Sequence, residues 1–348
     1  AIESNLFARA YVCRDTDTGK KVVFVNAEIC FITISIKSGV IRKLQKEHPE
    51  FSYDFDNVLL TAQHTHSAPG GYGHYPFYNF SIPGFVPEVY QTIVDGITEA
   101  IVKAEKTLKP ANIYIGSSVF EPGIDVAFNR SMKAYNTNPD VERLDKKDNH
   151  LAVDREMTLI RIDDLEGKSI GCISWFGVHT TTVGNDLLKI CADNKGYASQ
   201  FFEDHIGKEK ENGDFLAAFS QGPCGDISPN YIWIPKEKKM RGKYEDDYES
   251  AKYNGRLQFN KAKEIYEQIV KTKPINKIGI DYGLLNVDFS NVHIDSEFAK
   301  DKQEEKTGSA CMGVSFFLGH PTDGRGMSNF LEHLAIFLST LVKYYEYL

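Results

Sequence analysis

The apolar pattern of the chain predicts an α/β fold of the layered α+β kind, a mixed β-sheet flanked by helices. Two observations carry this. Short runs rich in β-branched residues alternate with stretches whose apolar residues recur at helical spacing. The composition, 42% hydrophobic and 25% charged over 348 residues, is that of a globular chain with enough length for a sizeable core. It excludes a disordered chain, a collagen and a coiled coil.

Taken in order, Lys21 to Ile36 reads as one or two strands around a break at Asn26-Ala27, and Val58 to Ala62 as a short strand. Val89, Ile93, Ile97, Ile101 and Leu108 share one helical face, and Pro110 closes that helix. Further strands are expected at Ile113 to Ile115, Met157 to Ile162, Ser169 to Val178 and Phe215 to Phe219. Between the last two, Asp193 is placed to cap a helix carrying Ala198, Phe202 and Ile206. Leu257, Ala262, Ile265, Ile269 and Val270 mark a helix ended by Pro274. Leu331, Leu334, Phe337, Leu338, Leu341 and Tyr345 mark a last one. The polar stretches 143–149, 236–249 and 298–308 read as solvated surface loops. With no linker and no internal repeat, residues 1–348 are expected to form a single domain.

Forty basic against 48 acidic residues give a net charge of −8, which disfavours a nucleic-acid partner. No protein partner is predicted. The longest nearly uncharged apolar stretch, Leu334 to Val342, is shorter than the ~20 residues a bilayer-spanning helix needs. The six cysteines form no Cys-x-x-Cys pair, which argues against a zinc finger or a thioredoxin-type site and leaves one or two disulfides open. The opening Ala1-Ile2-Glu3 shows no basic-then-apolar leader.

Four features bear on chemistry. Val58 to Ala62 runs into Gln63-His64-Thr65-His66 and then a Pro69-Gly70-Gly71 turn. In extended chain, residues i and i+2 face one way, so His64 and His66 are expected to look into one cleft. Imidazole is both a common metal ligand and the acid/base group of neutral pH. The plain alternative is a pair of strand-edge histidines bonded to backbone. The strand ending at Val178 likewise meets a histidine, His179, followed by Thr180-Thr181-Thr182. Two histidines on neighbouring strand ends, with a carboxylate and an open position, make the geometry of a catalytic zinc site. The loop Gln221-Gly222-Pro223-Cys224-Gly225-Asp226-Ile227-Ser228-Pro229-Asn230 holds Ser228 extended before a proline. It serves as a nucleophile only if a base or metal activates it, and a turn serine is the alternative. Arg130, in Phe128-Asn129-Arg130-Ser131, offers a fork of donors for a carbonyl or carboxylate, with a surface salt bridge as the alternative. Spacing alone thus supports a metal-dependent hydrolase with a metal site at strand ends.

The segments Ser4 to Ala10, His64 to Tyr72, Asn129-Arg130-Ser131, Trp175 to His179, Asp193 to Ser199, Gly225 to Asn230, Gly313 to Phe316 and Thr322-Asp323-Gly324 come in the order seen in the neutral/alkaline (non-lysosomal) ceramidases. The chain resembles that family over nearly its whole length. The resemblance implies a zinc-dependent amidohydrolase that cleaves the N-acyl bond of ceramide or a related N-acyl lipid to a sphingoid base and a fatty acid. It implies His64 and His179 as ligands of Zn2+, Ser228 as the proposed nucleophile, and His66 and Arg130 as residues contacting substrate or that serine. Two routes fit: water activated by the metal attacks while Ser228 and His66 position it and move protons, or Ser228 attacks and forms an acyl-enzyme. The first is preferred, because no base for Ser228 is identifiable in the sequence.

In the family, a glutamate and a tyrosine completing the metal site lie well past the Thr-Asp-Gly segment. The chain is therefore read as a catalytic domain incomplete at both ends and without the family's immunoglobulin-like domain. The resemblance further implies a ceramide-like lipid substrate, contact with a membrane surface, and a secreted, cell-surface or periplasmic location. The alternatives are a zinc hydrolase for another amide or ester, and an inactive lipid-binding relative.

Overall fold

The computed structural model describes residues 1–79, 82, 84–210, 215–275, 278–299, 302–309, 319–320, 322–325 and 333–334. They fall into two compact units, Ala1–Tyr282 and Gly283–Leu348.

The first unit opens with β1 (Ala8–Arg14), β2 (Lys21–Ala27), α1 (Ile34–Glu47), β3 (Val58–Ala62) and α2 (Pro87–Lys106). The three strands form one sheet in the order β1-β2-β3. β1 runs antiparallel to β2, and β2 runs parallel to β3 with Ala27 opposite Ala62. β2 ends at the expected Asn26-Ala27 break, but no second strand follows it to Ile36. Thr33 instead caps α1, its Oγ1 accepting the Ile36 N–H at 3.2 Å. Ile36, Val40, Ile41 and Leu44 then fall on one face and bury with Val23, Val25, Ile97 and Ile101. Helical burial outweighs the β-preference of the local Ile-Thr-Ile run. β1 was not expected at all.

The chain continues through β4 (Ala111–Val119), β5 (Phe128–Asn129), a one-turn α3 (Met132–Tyr135), β6 (Glu156–Asp164), β7 (Ser169–Phe176), α4 (Asp193–Lys210), β8 (Leu216–Gln221), β9 (Ile227–Ser228), β10 (Ile232–Ile234), β11 (Lys239–Arg241) and α5 (Asp247–Ile269). A second mixed sheet has the order β4-β6-β7-β8, antiparallel up to β7, with β7 parallel to β8 across α4. Helices α4 and α5 supply Phe202, Phe259 and Ile265 to a core shared with Met157, Leu159 and Phe219 of this sheet. Phe202 lies 5.2–5.5 Å, centroid to centroid, from Phe215, Phe259 and Tyr266.

Among the described residues the layered α/β architecture therefore holds two mixed sheets rather than one. They are joined by polar contacts: the Tyr11 hydroxyl is shared between the carbonyls of Cys172 and Leu216 at 2.9 and 3.0 Å, and Asn26 Nδ2 donates to the Phe219 carbonyl at 3.2 Å. Arg9 on β1, almost fully buried, binds Glu28 after β2 and Glu203 on α4. Strands β5 and β9 pair with each other. The stretch 236–249 is not plain loop: it holds β11, paired with β10, and the start of α5, which Asp246 caps through the Glu249 N–H at 2.9 Å.

In the second unit, β12 (His293–Ile294) pairs with β13 (Glu305–Lys306), so the stretch 298–308 also contains a strand, and β14 (Gly319–His320) pairs with β15 (Gly324–Arg325). Apart from Leu334, the residues marking the expected last helix lie outside the described residues, as do Gly313 to Phe316. Cys13, Cys30, Cys172, Cys191 and Cys224 are free thiols.

Candidate metal centre

The parallel ladder of the first sheet ends with the Gln63 N–H on the Ala27 carbonyl. His64 then turns out of the strand with φ +82°, a region seldom occupied by a residue with a side chain. Thr65 is buried and donates to the Cys191 carbonyl at 2.7 Å. His66 emerges exposed, its N–H on the Thr180 carbonyl at 3.3 Å. The two histidines converge, but through this kink rather than through an extended i, i+2 pair: their Nε2 atoms are 3.2 Å apart.

His179 lies three residues beyond β7 and is buried. Its backbone N–H meets the Ile227 carbonyl at 3.0 Å, and its Nε2 lies 3.1 Å from that of His64. Three imidazoles therefore gather, with ring centroids 4.7–5.4 Å apart.

Main-chain carbonyls fix which ring nitrogen points inward. His64 Nδ1 lies 2.7 Å from the Cys30 carbonyl, and His179 Nδ1 lies 2.7 Å from the Cys224 carbonyl. A carbonyl only accepts, so both Nδ1 atoms carry hydrogen and both Nε2 atoms, in the neutral rings, present lone pairs. Two lone pairs facing at 3.1 Å repel unless a cation or a shared proton lies between them. Tetrahedral zinc with ~2.0–2.1 Å bonds to nitrogen places its ligand atoms ~3.3 Å apart, close to the 3.1 and 3.2 Å found. The donor set fits such an ion.

Cys30, His64 and His66 form a group whose donor atoms all lie within 4.8 Å and so can hold a metal ion. Burial pushes the Cys30 thiol up to about 12, which opposes the thiolate form a metal needs. The imidazoles are the better donors.

Gln221, the last residue of β8, locks the two histidine segments together. Its amide donates to the Gln63 carbonyl at 2.9 Å and the Val178 carbonyl at 2.7 Å. The Thr180 hydroxyl adds a bond to the Gln63 carbonyl at 3.2 Å.

Ser228 is fully buried on β9, opposite Phe128 of β5. Its Oγ accepts the Asn230 N–H at 3.0 Å. Its neighbour Ile227 holds the His179 backbone, and Asn230 Nδ2 donates to the Thr181 carbonyl at 2.8 Å. The serine strand and the histidine segment are thus one bonded assembly. Arg130 follows β5 and grips the same loop, its N–H on the Asp226 carbonyl at 2.8 Å and its guanidinium on the Gly225 carbonyl at 2.7 Å. Gln63, Gln221 and the carbonyls of Cys30 and Cys224 are not identified from the sequence. Main-chain acceptors carry no residue-type signal, and a glutamine beside a histidine or at a strand end carries no distinctive one.

The family described as neutral/alkaline non-lysosomal ceramidase, N-terminal, matches residues 1–343. Neutral ceramidase A of Dictyostelium discoideum is 36% identical over 350 residues, covering 93% of this chain and 47% of its own. The neutral ceramidase of Pseudomonas aeruginosa is 33% identical over 340 residues, covering 98% and 48%. The crystal structure of that bacterial neutral ceramidase superposes with a TM-score of 0.75 at 32% identity, over 91% of this chain and 49% of the other. A ceramidase complexed with C2 gives 0.72 at 33% identity, over 86% and 43%. The chain spans about half the length of these relatives.

Proposed function

The chain belongs to the neutral/alkaline non-lysosomal ceramidase family, and on that premise we propose that it carries a zinc-dependent amidohydrolase site. The substrate is ceramide or a related N-acyl lipid, and the products are a sphingoid base and a fatty acid. The observation that supports this most is the meeting of three imidazole Nε2 atoms, 3.1 and 3.2 Å from one another through His64.

In this reading His64 and His179 hold the metal. When bound, zinc polarises a carbonyl and brings the pKa of a bound water to ~7. His66, exposed beside them, takes and returns the proton that moves between water and the leaving amine. Ser228, fixed by the Asn230 N–H, aligns the scissile carbonyl. Arg130 keeps the loop of Ser228 in place through Gly225 and Asp226.

A lipid substrate also fits the sequence between Asp56 and Glu88, which carries no Asp, Glu, Lys or Arg. In it Tyr75, Tyr78 and Phe85 are exposed just after the histidine motif. Tyrosine side chains favour the membrane–water interface, which supports contact with a lipid surface. No helix among the described residues is long and apolar enough to cross a membrane. A location outside the cell, at its surface or in the periplasm, is part of the same family reading.

The test is zinc analysis of the purified full-length protein with hydrolysis of a long-chain ceramide in mixed micelles, run beside a short water-soluble amide. The expected result is zinc-dependent release of fatty acid from the ceramide, with His64→Ala losing the metal and about a thousandfold in rate. Full activity in His64→Ala overturns the reading. Preference for the short amide overturns the lipid assignment.

A further inference from the structure

The start of α4, Asp193-Asn194-Lys195, carries three fully buried side chains that the proposed reaction leaves without a task. Each is bonded around the segment that bears His179. The Asp193 carboxylate accepts the N–H of Val183 at 3.0 Å and of Asn194 at 2.6 Å. Asn194 Nδ2 donates to the His179 carbonyl and the Thr182 hydroxyl, both at 3.0 Å. Lys195 Nζ donates to the carbonyls of Phe176 at 2.8 Å and Ser220 at 3.1 Å, and to Gln258 Oε1 at 3.2 Å.

The three acceptors match the three hydrogens of an ammonium, and none of them is charged. Taking a cation out of water among neutral groups is costly, and burial pulls the Lys195 pKa down to about 7. An apolar side chain fills the same space without that cost. It leaves the two carbonyls without this donor, and those carbonyls sit where position matters. Phe176 ends β7, three residues before His179. Ser220 is next to last in β8, four residues before Cys224, whose carbonyl holds the His179 ring.

We propose that Lys195 is a positioning residue for the metal centre: by tying the ends of β7 and β8 together it sets the Cys224 carbonyl against His179 Nδ1 and so aims His179 Nε2 at His64. The inference rests on reading His64 and His179 as metal ligands, and its test separates the two.

The experiment compares the chain with Lys195→Met and Lys195→Arg, first without metal. Long-range 1H–15N spectra of the imidazole rings report which nitrogen of each histidine carries hydrogen. The expected result is that Lys195→Met keeps its far-UV circular dichroism and the His64 signals but loses the Nδ1–H form of His179. Lys195→Arg, which keeps a cation with several donors, restores part of that signal. Titration with Zn2+ alone is then expected to show binding about tenfold weaker, or more, in Lys195→Met. Unchanged His179 signals in Lys195→Met overturn the inference, whatever Zn2+ does. So does loss of fold in both variants, because Lys195 then serves the fold at large. If His179 responds while the unaltered chain binds no Zn2+, the positioning role stands and the metal reading fails.

Discussion

Asp193 is a carboxyl in a fully buried place, and burial raises its pKa from 3.8 to about 6 against the opposing N–H bonds of Val183 and Asn194. A raised pKa means that the folded protein holds the proton more tightly than the unfolded chain. The contribution to stability is present below about pH 4 and is lost as pH rises through about 6. About two pK units at ~1.4 kcal/mol each set an upper bound of ~3 kcal/mol. Urea melts at pH 4, 5, 6 and 7 are expected to show the chain losing stability relative to Asp193→Asn across that window; parallel pH profiles contradict the assignment. At this scale the sequence was only half informative. His64, His179 and Ser228 stood out because histidines and a pre-proline serine at strand ends are uncommon company. The carbonyls that orient the two facing rings of His64 and His179 belong to Cys30 and Cys224, and a side-chain reading has no means of nominating a backbone oxygen.

Elements were legible where one period dominated. α2, α4 and α5 each carry apolar residues at helical spacing over several turns, and Ile97, Ile101, Ala198, Phe202, Ile206, Ala262, Ile265 and Ile269 of the expected faces are buried, whereas Leu108 and Val270 lie just past the ends of α2 and α5 and are exposed. α1 is hidden in the sequence because Ile32-Thr33-Ile34 has strand chemistry, although Thr33 caps the helix and Ile34 begins it. The exit of β7 shows how an element end is held. Gly177 passes so close to the opposite loop that an added Cβ overlaps the Pro223 carbonyl, and the Gly222 N–H bonds the Phe176 carbonyl there at 3.1 Å. Gly177→Ala must push these loops apart, at a cost of ~1–3 kcal/mol. Calorimetry and Zn2+ titration of that variant are expected to show stability and metal affinity falling together. Lowered affinity at unchanged melting temperature places the effect elsewhere.

For the molecule as a whole, the division into two sheets was hidden because strand partners are set by contacts distant in sequence. Arg9 marks the join: it lies on the first sheet, 4% exposed, and holds both Glu28 and the α4 residue Glu203. The Glu203 carboxylate in turn accepts the Ala217 N–H of β8 at 3.0 Å. Arg9→Met leaves Glu28, 2% exposed, as an unpaired buried charge. The expected loss is ~3–5 kcal/mol, read from denaturant unfolding; a change below ~1 kcal/mol refutes the structural role.

The two closest imidazoles reach each other from opposite sides of that join, His64 following a strand of one sheet and His179 a strand of the other. An ion seated between them acts as a rivet through a seam, so its affinity adds to the cohesion of the two halves. At a hundredfold excess over its dissociation constant, such an ion contributes ~2.7 kcal/mol. The chemistry of the centre and the mechanical integrity of the unit then draw on the same bond.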